Sequence, residues 1–479
     1  MIYHNLYDRH KGEVTTAGLI GTGHFGIAVI GQSVMQEQLA IAAIADRNMS
    51  AIWTAAEKAG IPKENIAVCK TAEEAKSWWG TGKIIAATDP MILMEIPLDT
   101  IVEATGNPEA GARYCMAAIE SGKNVVMVNK EVDSCVGPIL RKKAEEKDVV
   151  CTPVDGDQHG ALMQMIEWAR DLGLEVICAG KSRDAEFIYD REAGTVTVYC
   201  DGGITIPETV TAMLSKEECR YMETMSDEEM VTFLKKRKDL LHELDPRGGF
   251  DLCEMVIAAN SSGLEPDTSL LYDEILRTPE IPKVLCEKKN GGILTKKGVI
   301  EVVTNLHEKG EAGLGGGVFL TVHSANPYSQ MILATKGCLS SSDGEVSLIY
   351  RPYHLCGAEA SSTLLCAGLL HVGTGSRVYE QKFDIVQEAK TDLKKGEVMG
   401  SDHDTRLLTH MVPKSPVKER GPIPAHMLNG KKLICDVPRG TVITYDMVEE
   451  PKDSMLWKLR RRDSLRKKKR KRRRWLPGR

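Results

Sequence analysis

No stretch of the 479 residues is apolar over the length needed to cross a bilayer, and residues 1–13 lack the apolar core of a secretory signal. The chain reads as neither membrane-spanning nor exported. Its thirteen cysteines contain no C-x-x-C pair. An odd, scattered set argues against a disulfide framework and a structural zinc site, and fits a reducing cytoplasm. Cys115, Cys178 and Cys366 lie in apolar surroundings and read as buried thiols. Acidic residues outnumber basic ones over most of the chain. Residues 458–479 hold fourteen Lys or Arg against one Asp, a net +13, so the other residues carry −18 of the overall −5. An acidic body has no field that seeks nucleic acid. The basic end, with its unbroken run Arg466 to Arg474, repels itself and reads as disordered. It is an appended extension, or a dock for nucleic acid, anionic lipid or an import receptor; the first reading is the simpler. Hydrophobic content of 42% and charged content of 27% are those of an ordinary globular protein with room for two to four domains.

Against these absences stands one dense feature. Residues 18–26 read Gly-Leu-Ile-Gly-Thr-Gly-His-Phe-Gly. Gly21, Gly23 and Gly26 form a G-x-G-x-x-G, with His24 and Phe25 inside it. An apolar run precedes it, and a helical stretch, Ile27 to Gln38, follows. Asp46 ends a second apolar run twenty residues after Gly26. This is the spacing of a dinucleotide-binding βαβ unit. Gly21 allows the tight turn, Gly23 lets the backbone approach a pyrophosphate, and Gly26 lets helix and strand pack closely. The helix N-terminus presents free N–H groups to phosphate oxygens. Asp46 would accept hydrogen bonds from a ribose 2′-OH, which favours NAD. The adjacent Arg47 can accept a 2′-phosphate, which favours NADP, or is a solvated charge.

The first 150 residues alternate β-like runs with helical stretches, the pattern of a doubly wound α/β sheet. Expected strands are Val14–Ile20, Leu39–Ala45, Lys83–Ala87, Thr100–Glu103, Asn124–Met127 and Val149–Thr152. Expected helices include Ala51–Ala59 with Ser50 as its cap, Pro108–Ser121 and Ile139–Lys147. From Asp155 the texture becomes mixed α+β. A helix is expected at Gly160–Leu172, a strand at Val176–Ala179, helix over Lys216–Leu241, strands at 312–323 and 345–351, and an apolar helix at 354–370. Residues 385–450 contain a quasi-repeat, Thr391-Asp-Leu-Lys-Lys-Gly-Glu-Val398 and Cys435-Asp-Val-Pro-Arg-Gly-Thr-Val442. The expected division is a Rossmann domain over 1–154, a central substrate and dimerisation domain over 155–380, a small β-rich domain over 381–452, and a basic tail over 453–479.

Strand ends on the ligand side of an open α/β sheet line its crevice. Thr105, Gly106 and Asn107 lie at one such end and read as ribose or nicotinamide contacts, or as an ordinary helix cap ahead of Pro108. Asn129-Lys130 lies at the next, where Lys130 could orient a hydroxyl or carry a proton. Asp155 and Asp157, separated by a permissive Gly156, could cap a helix and contact substrate; the weaker alternative is a divalent cation. Lys181 follows a β-run. In an apolar pocket its pKa would fall and it could exchange the proton that hydride transfer to a ketone requires. His354, beside Arg351 and Glu359, could act as acid or base or be a structural residue. Gly313–Gly317 reads as close backbone packing.

Several of these stretches resemble the homoserine dehydrogenase-like oxidoreductases, in particular the branch with a C-terminal SAF domain. The carriers are Glu103 to Pro108, Val125 to Lys130, Asp155 to Gln158, Ala179-Gly180-Lys181, Arg351 to Leu355, and the quasi-repeat. A close branch resembles the bacterial deoxyxylulose 5-phosphate reductoisomerases: Asn129-Lys130-Glu131 is similar to their Asn-Lys-Glu, and Asp155-Gly156-Asp157 to their metal-holding Asp-Ser-Glu. No counterpart of the acid-rich homoserine motif is found. The resemblance implies a homo-oligomeric NAD- or NADP-dependent enzyme moving a hydride to or from a small polar substrate, phosphorylated or not. The alternatives are a reductoisomerase that uses NADPH and a divalent metal, and a non-catalytic NAD(P)-binding sensing or assembly protein.

Overall fold

The computed structural model describes residues 2–200, 210–244, 250–400, 404–414 and 421–461. The chain divides into two compact units, one of residues 1–160 with 355–479, the other of residues 161–354. Most of the basic end, 462–479, lies outside the described residues.

The first unit is built on seven parallel strands: β1 Thr15–Ile20, β2 Leu39–Ala45, β3 Ile66–Cys69, β4 Ile84–Ala87, β5 Thr100–Glu103, β6 Asn124–Met127 and β7 Cys151–Pro153. Their order is β3-β4-β2-β1-β5-β6-β7. The strands read as near-continuous apolar runs because helices cover both faces of a parallel sheet. Those helices include α1 Ile2–Tyr7, α2 His24–Ser33, α3 Met49–Lys58, α4 Ala72–Trp78, α5 Pro108–Glu120 and α6 Lys130–Glu145; α7 Gln158–Asp171 begins in this unit and runs into the second. This is the doubly wound Rossmann architecture. The chain leaves β1 toward β2 on one side and, later, adds β5 on the other. The crevice at the carboxyl ends of β1 and β5 is therefore the switch point where ligands bind in such sheets.

Three local expectations are corrected. Helix α2 starts at His24 and stops at Ser33, rather than running from Ile27 to Gln38. Asn48, not Ser50, caps α3: its side chain accepts from Ser50 N. Helix α6 begins at Lys130, nine residues before the expected Ile139, and passes through Pro138. Burial of Val132, Cys135, Val136, Ile139 and Leu140 on one side of α6 outweighs the local cost of the proline.

The second unit carries a mixed sheet. Its strands are β8 Glu175–Ser182, β9 Ala185–Asp190, β10 Thr195–Cys200, β11 Thr211–Met213, β12 Glu265–Pro266, β13 Glu274–Leu276, β14 Val299–Glu308, β15 Val318–His323, β16 Leu339–Ser340 and β17 Ser347–Arg351. The backbone order is β11-β10-β9-β14-β8-β15-β17-β16, with β12 and β13 also on β14. Helices α8 Met230–Leu241, α9 Phe250–Ser262, α10 Ile281–Val284 and α11 Pro327–Thr335 complete the unit. The helix expected from Lys216 is confined to α8. Arg237 is buried inside this unit on Glu280, and its guanidinium also donates to the carbonyls of Tyr221, Glu223 and Ile275.

The remaining elements return to the first unit: α12 Ala360–Leu369, the antiparallel pair β18 Phe383–Ala389 and β19 Leu407–Pro413, and α13 Ala425–Leu428. The quasi-repeat folds on itself with approximate two-fold symmetry. Leu393 and Val437 exchange both backbone hydrogen bonds at 2.9 Å. Asp392 accepts from Arg439 N at 2.9 Å, and Asp436 accepts from Lys395 N at 2.8 Å. Gly396 and Gly440 turn each half at positive φ. Residues 455–461, inside the segment expected to be tail, are helical, with Leu456, Trp457, Leu459 and Arg460 buried. Arg460 pairs there with buried Asp384, Nη1 to Oδ1 at 2.9 Å.

Candidate functional site

The glycine motif forms the turn between β1 and α2. Gly21 has φ +100°, and a Cβ on it would lie 2.5 Å from Ala104 O at the end of β5. A Cβ on Gly26 would lie 2.3 Å from Gly21 O. Gly23 differs: it is exposed and a Cβ would meet nothing within 4 Å. No side chain caps α2. Its first N–H groups, which have no intrahelical acceptor, therefore face open space over Gly23. His24 is exposed and Phe25 half-buried.

Asp46 closes the turn from the end of β2. Its Oδ2 accepts from Thr22 N and Thr22 Oγ1, both at 2.9 Å, and its Oδ1 accepts from Asn48 N at 2.9 Å. A carboxylate has about four acceptor positions, so one remains for an incoming hydroxyl. Arg47 is exposed.

The ends of β5 and β6 are tied together. Glu103, fully buried, accepts at Oε1 from Thr105 N at 3.0 Å and from Thr105 Oγ1 at 2.5 Å. Its other oxygen has no partner. Burial pushes this carboxyl up to about 7, against the lowering effect of the Thr105 bonds. Gly106 takes φ +64°, and Asn107 caps α5 by accepting from Ala110 N at 2.9 Å. Asn129 caps α6 by accepting from Val132 N, and donates to Thr105 Oγ1 at 3.3 Å and Asn107 O at 3.1 Å. Lys130 is the first residue of α6 and half-buried.

Asp155 and Asp157 are buried at the mouth of α7. Gly156 between them has φ +88°, and a Cβ there would lie 2.8 Å from Leu355 O. Helix α12 holds the first acid: Ser362 Oγ donates to Asp155 Oδ2 at 2.7 Å, and Asp155 N donates to Thr363 Oγ1 at 2.8 Å. Asp157 Oδ1 accepts from Gln158 N at 2.7 Å. Nothing in the sequence singled out Ser362 or Thr363, since their partner lies more than 200 residues away. Among the described residues no group of three His, Cys, Asp or Glu is gathered to hold a metal ion.

The other two candidates lie in the second unit. Lys181 on β8 is almost wholly buried and hydrogen-bonded to the equally buried Glu254 of α9. Glu254 was not singled out in the sequence because its partner lies 73 residues away and no local pattern joins the two. His354 is half-buried; its Nδ1 lies 2.8 Å from Gly316 O and its Nε2 3.9 Å from Asp184 Oδ1. The Gly313–Gly317 run is close packing: Cβ atoms there would strike the Glu186 carboxylate, the His354 ring and Arg351 O. Arg351 lies with its guanidinium carbon 4.8 Å from the Tyr353 ring centroid.

The first unit thus defines an α/β protein with a Rossmann sheet and an open, glycine-lined helix terminus at its switch point. Residues 247–360 match the family model described as the catalytic domain of the oxidoreductase DRL. The chain is 37% identical over 95 residues to the 1-deoxy-D-xylulose 5-phosphate reductoisomerase of Wolbachia sp. subsp. Brugia malayi, covering 19% of this chain and 24% of the relative. It is 42% identical over 60 residues to that of Exiguobacterium sibiricum, covering 12% and 15%. The chain therefore matches a quarter or less of the length of these relatives. Among solved structures, a probable dehydrogenase from Thermotoga maritima is similar over 76% of this chain and 91% of its own, at 14% identity and TM-score 0.36. The Zymomonas mobilis 1-deoxy-D-xylulose 5-phosphate reductoisomerase, solved with NADPH, is similar over 36% and 46%, at 21% identity and TM-score 0.26. Among the described residues no helix is long and apolar enough to cross a membrane.

Proposed function

We propose that the chain is an NAD(P)-dependent oxidoreductase acting on a small polar hydroxy or keto compound. One observation carries this reading: the uncapped N-terminus of α2 opens over Gly23 at the switch point of a parallel sheet. Dipole and free N–H groups there suit a diphosphate. Asp46 keeps one acceptor for a ribose hydroxyl, and Arg47 stands beside it for a 2′-phosphate. A bound nicotinamide supplies or accepts the hydride. The chain's own residues orient the substrate and move the proton. Thr105, Gly106 and Asn107 form the rim that would hold the cofactor's reactive end. Within the first unit, Lys130, Asp155 and Asp157 are the groups for substrate hydroxyls. Within the second unit, taken by itself, Lys181, with Glu254 as its buried counter-charge, and His354 are the candidate proton donors. We read the repeat over 391–442 as the SAF domain that the homoserine dehydrogenase-like resemblance implies.

The curated relatives favour a narrower second reading, reduction and isomerisation of a deoxyxylulose 5-phosphate-like sugar phosphate. That reading carries a divalent cation, to which Asp155 and Asp157 would contribute; no third ligand is gathered beside them among the described residues. The test is a fluorescence titration of the full chain with NADH and NADPH, then a turnover screen of hydroxy acids, polyols and sugar phosphates with and without Mn²⁺. Binding of either cofactor and turnover of one class is expected. Binding of neither sinks the proposal. Binding without turnover across the panel favours a sensing or assembly role, and Mn²⁺-dependent turnover of the sugar phosphate selects the second reading.

A further inference from the structure

At the amino ends of β1, β2 and β4, the end of the sheet away from the glycine turn, the first unit holds a cavity of about 370 Å³. That volume falls in the range of small-molecule sites, about 300–1,000 Å³. Its lining is mostly apolar: Ile30, Leu39, Ile41, Ile61, Ile84 and Trp79. Two hydroxyls also line it, and both are satisfied inside the fold. Thr16 Oγ1 donates to Asp99 Oδ2 at 2.8 Å, and Ser33 Oγ donates to Ile30 O at 2.8 Å. The Asp99 carboxylate also accepts from Thr16 N at 2.7 Å, so its charge is held on β1. The walls therefore suit an apolar ligand body and offer it no hydroxyl proton.

Lys83 is the one charged residue among those that line the cavity. It is exposed, and its Nζ lies 4.7 Å from the centroid of the Trp78 ring. Among the described residues its side chain makes no other polar contact, so the ammonium has no carboxylate partner. Apolar side chains stand in water beside it. Trp78 is 38% exposed, Val34, also in the lining, is 57% exposed, and the following residue, Met35, 74%. One ligand serves both features. Its hydrocarbon part removes apolar area from water, and its anionic end takes the ammonium at the mouth. A cationic ligand would meet Lys83 as a like charge.

We propose that this cavity binds a small apolar carboxylate, with its hydrocarbon part against α2, β2 and β4 and its carboxylate on Lys83. The inference does not depend on the oxidoreductase reading. Helix α2 begins at the glycine turn and ends at this cavity, so the two sites share a helix and not a ligand.

The test titrates the full chain by calorimetry with octanoate, octanol and octylammonium, which share a hydrocarbon chain and differ at its end. Saturable binding of a single octanoate is expected, with octylammonium weaker by about fivefold or more. Lys83→Met, at an exposed position, should weaken octanoate about three- to fivefold, the size of an exposed charge pair, and leave octanol within about twofold. Ala42→Leu places a larger side chain in the lining and should abolish octanoate binding. No saturable octanoate binding to the wild type overturns the proposal, as does an octanoate affinity that neither variant changes. If Ala42→Leu fails to fold, methyl NMR of the wild type locates the ligand. Octanoate-induced shifts at Ile30, Ile41, Ile61 and Ile84 support the site, and shifts confined to other isoleucines overturn it. NADPH titration of the same preparations keeps the two readings apart. Competitive displacement of octanoate by NADPH puts octanoate in the cofactor crevice and overturns this proposal. Octanoate binding as described, in a chain that binds neither cofactor, keeps the cavity and removes the oxidoreductase reading.

Discussion

Replacing Glu103 by Gln tests the electrostatics under the β5–α5 rim. Glu103 is fully buried, Thr105 donates twice to one oxygen, and the other oxygen has no partner. Its carboxyl is raised from 4.5 to about 7, chiefly by burial. A carboxyl whose folded pKa lies above its unfolded value binds its proton more tightly when folded. Its contribution to stability is complete below pH 4.5 and is lost as pH rises through 7. The difference between 4.5 and about 7 corresponds to about 3 kcal/mol. Glu103→Gln keeps an oxygen for both Thr105 donors and cannot ionise. The wild type should therefore be as stable as or more stable than the variant at pH 4, and lose about 3 kcal/mol relative to it by pH 9. The assay is urea unfolding of both proteins at matched pH values. It is paired with a difference infrared titration in which a protonated carboxyl band, absent from the variant, disappears near pH 7. A stability difference that stays flat between pH 4 and 9, or a band already gone at pH 5, would refute the reasoning. Either result would mean that the Thr105 hydrogen bonds outweigh desolvation.

Two further substitutions probe the turn and the C-terminal anchor. Gly26→Ala places a methyl 2.3 Å from Gly21 O, so the turn must open; a loss of about 1–3 kcal/mol in stability and a weakened NADPH titration are expected. Gly31→Ala, in the same helix with nothing within 4 Å, should instead stabilise by about 0.5–1 kcal/mol and leave binding unchanged. Arg460→Met leaves Asp384 buried without its guanidinium and should cost about 3–5 kcal/mol, read as a lowered Tm and faster proteolysis of the C-terminal module. A Tm within about 1 °C of wild type would show that the pair is not holding residues 455–461 in place.

Much of the first unit was written locally. The apolar runs that became β1, β2, β5 and β6 are bounded by turns, and the spacing of Gly21, Gly23, Gly26 and Asp46 is a short-range pattern whose steric demands any reader of the chain can state. Even the two-fold repeat over 391–442 shows as two similar octapeptides. What local pattern could not decide was anything that depends on a distant partner. Helix α6 runs through Pro138 because its apolar side is buried along its length, which outweighs the local break. Asp155 is held by Ser362 and Thr363, Lys181 is buried against Glu254, and residues 455–461 of an apparently unstructured basic end are fixed by Asp384. Each of these joins residues far apart in the chain, and burial there sets both charge state and orientation. The chain order thus determined the turn that receives a diphosphate. Only tertiary packing decided which carboxylates, lysines and histidines are desolvated beside one another, because the cost of removing a charge from water depends on neighbours that the linear order does not name.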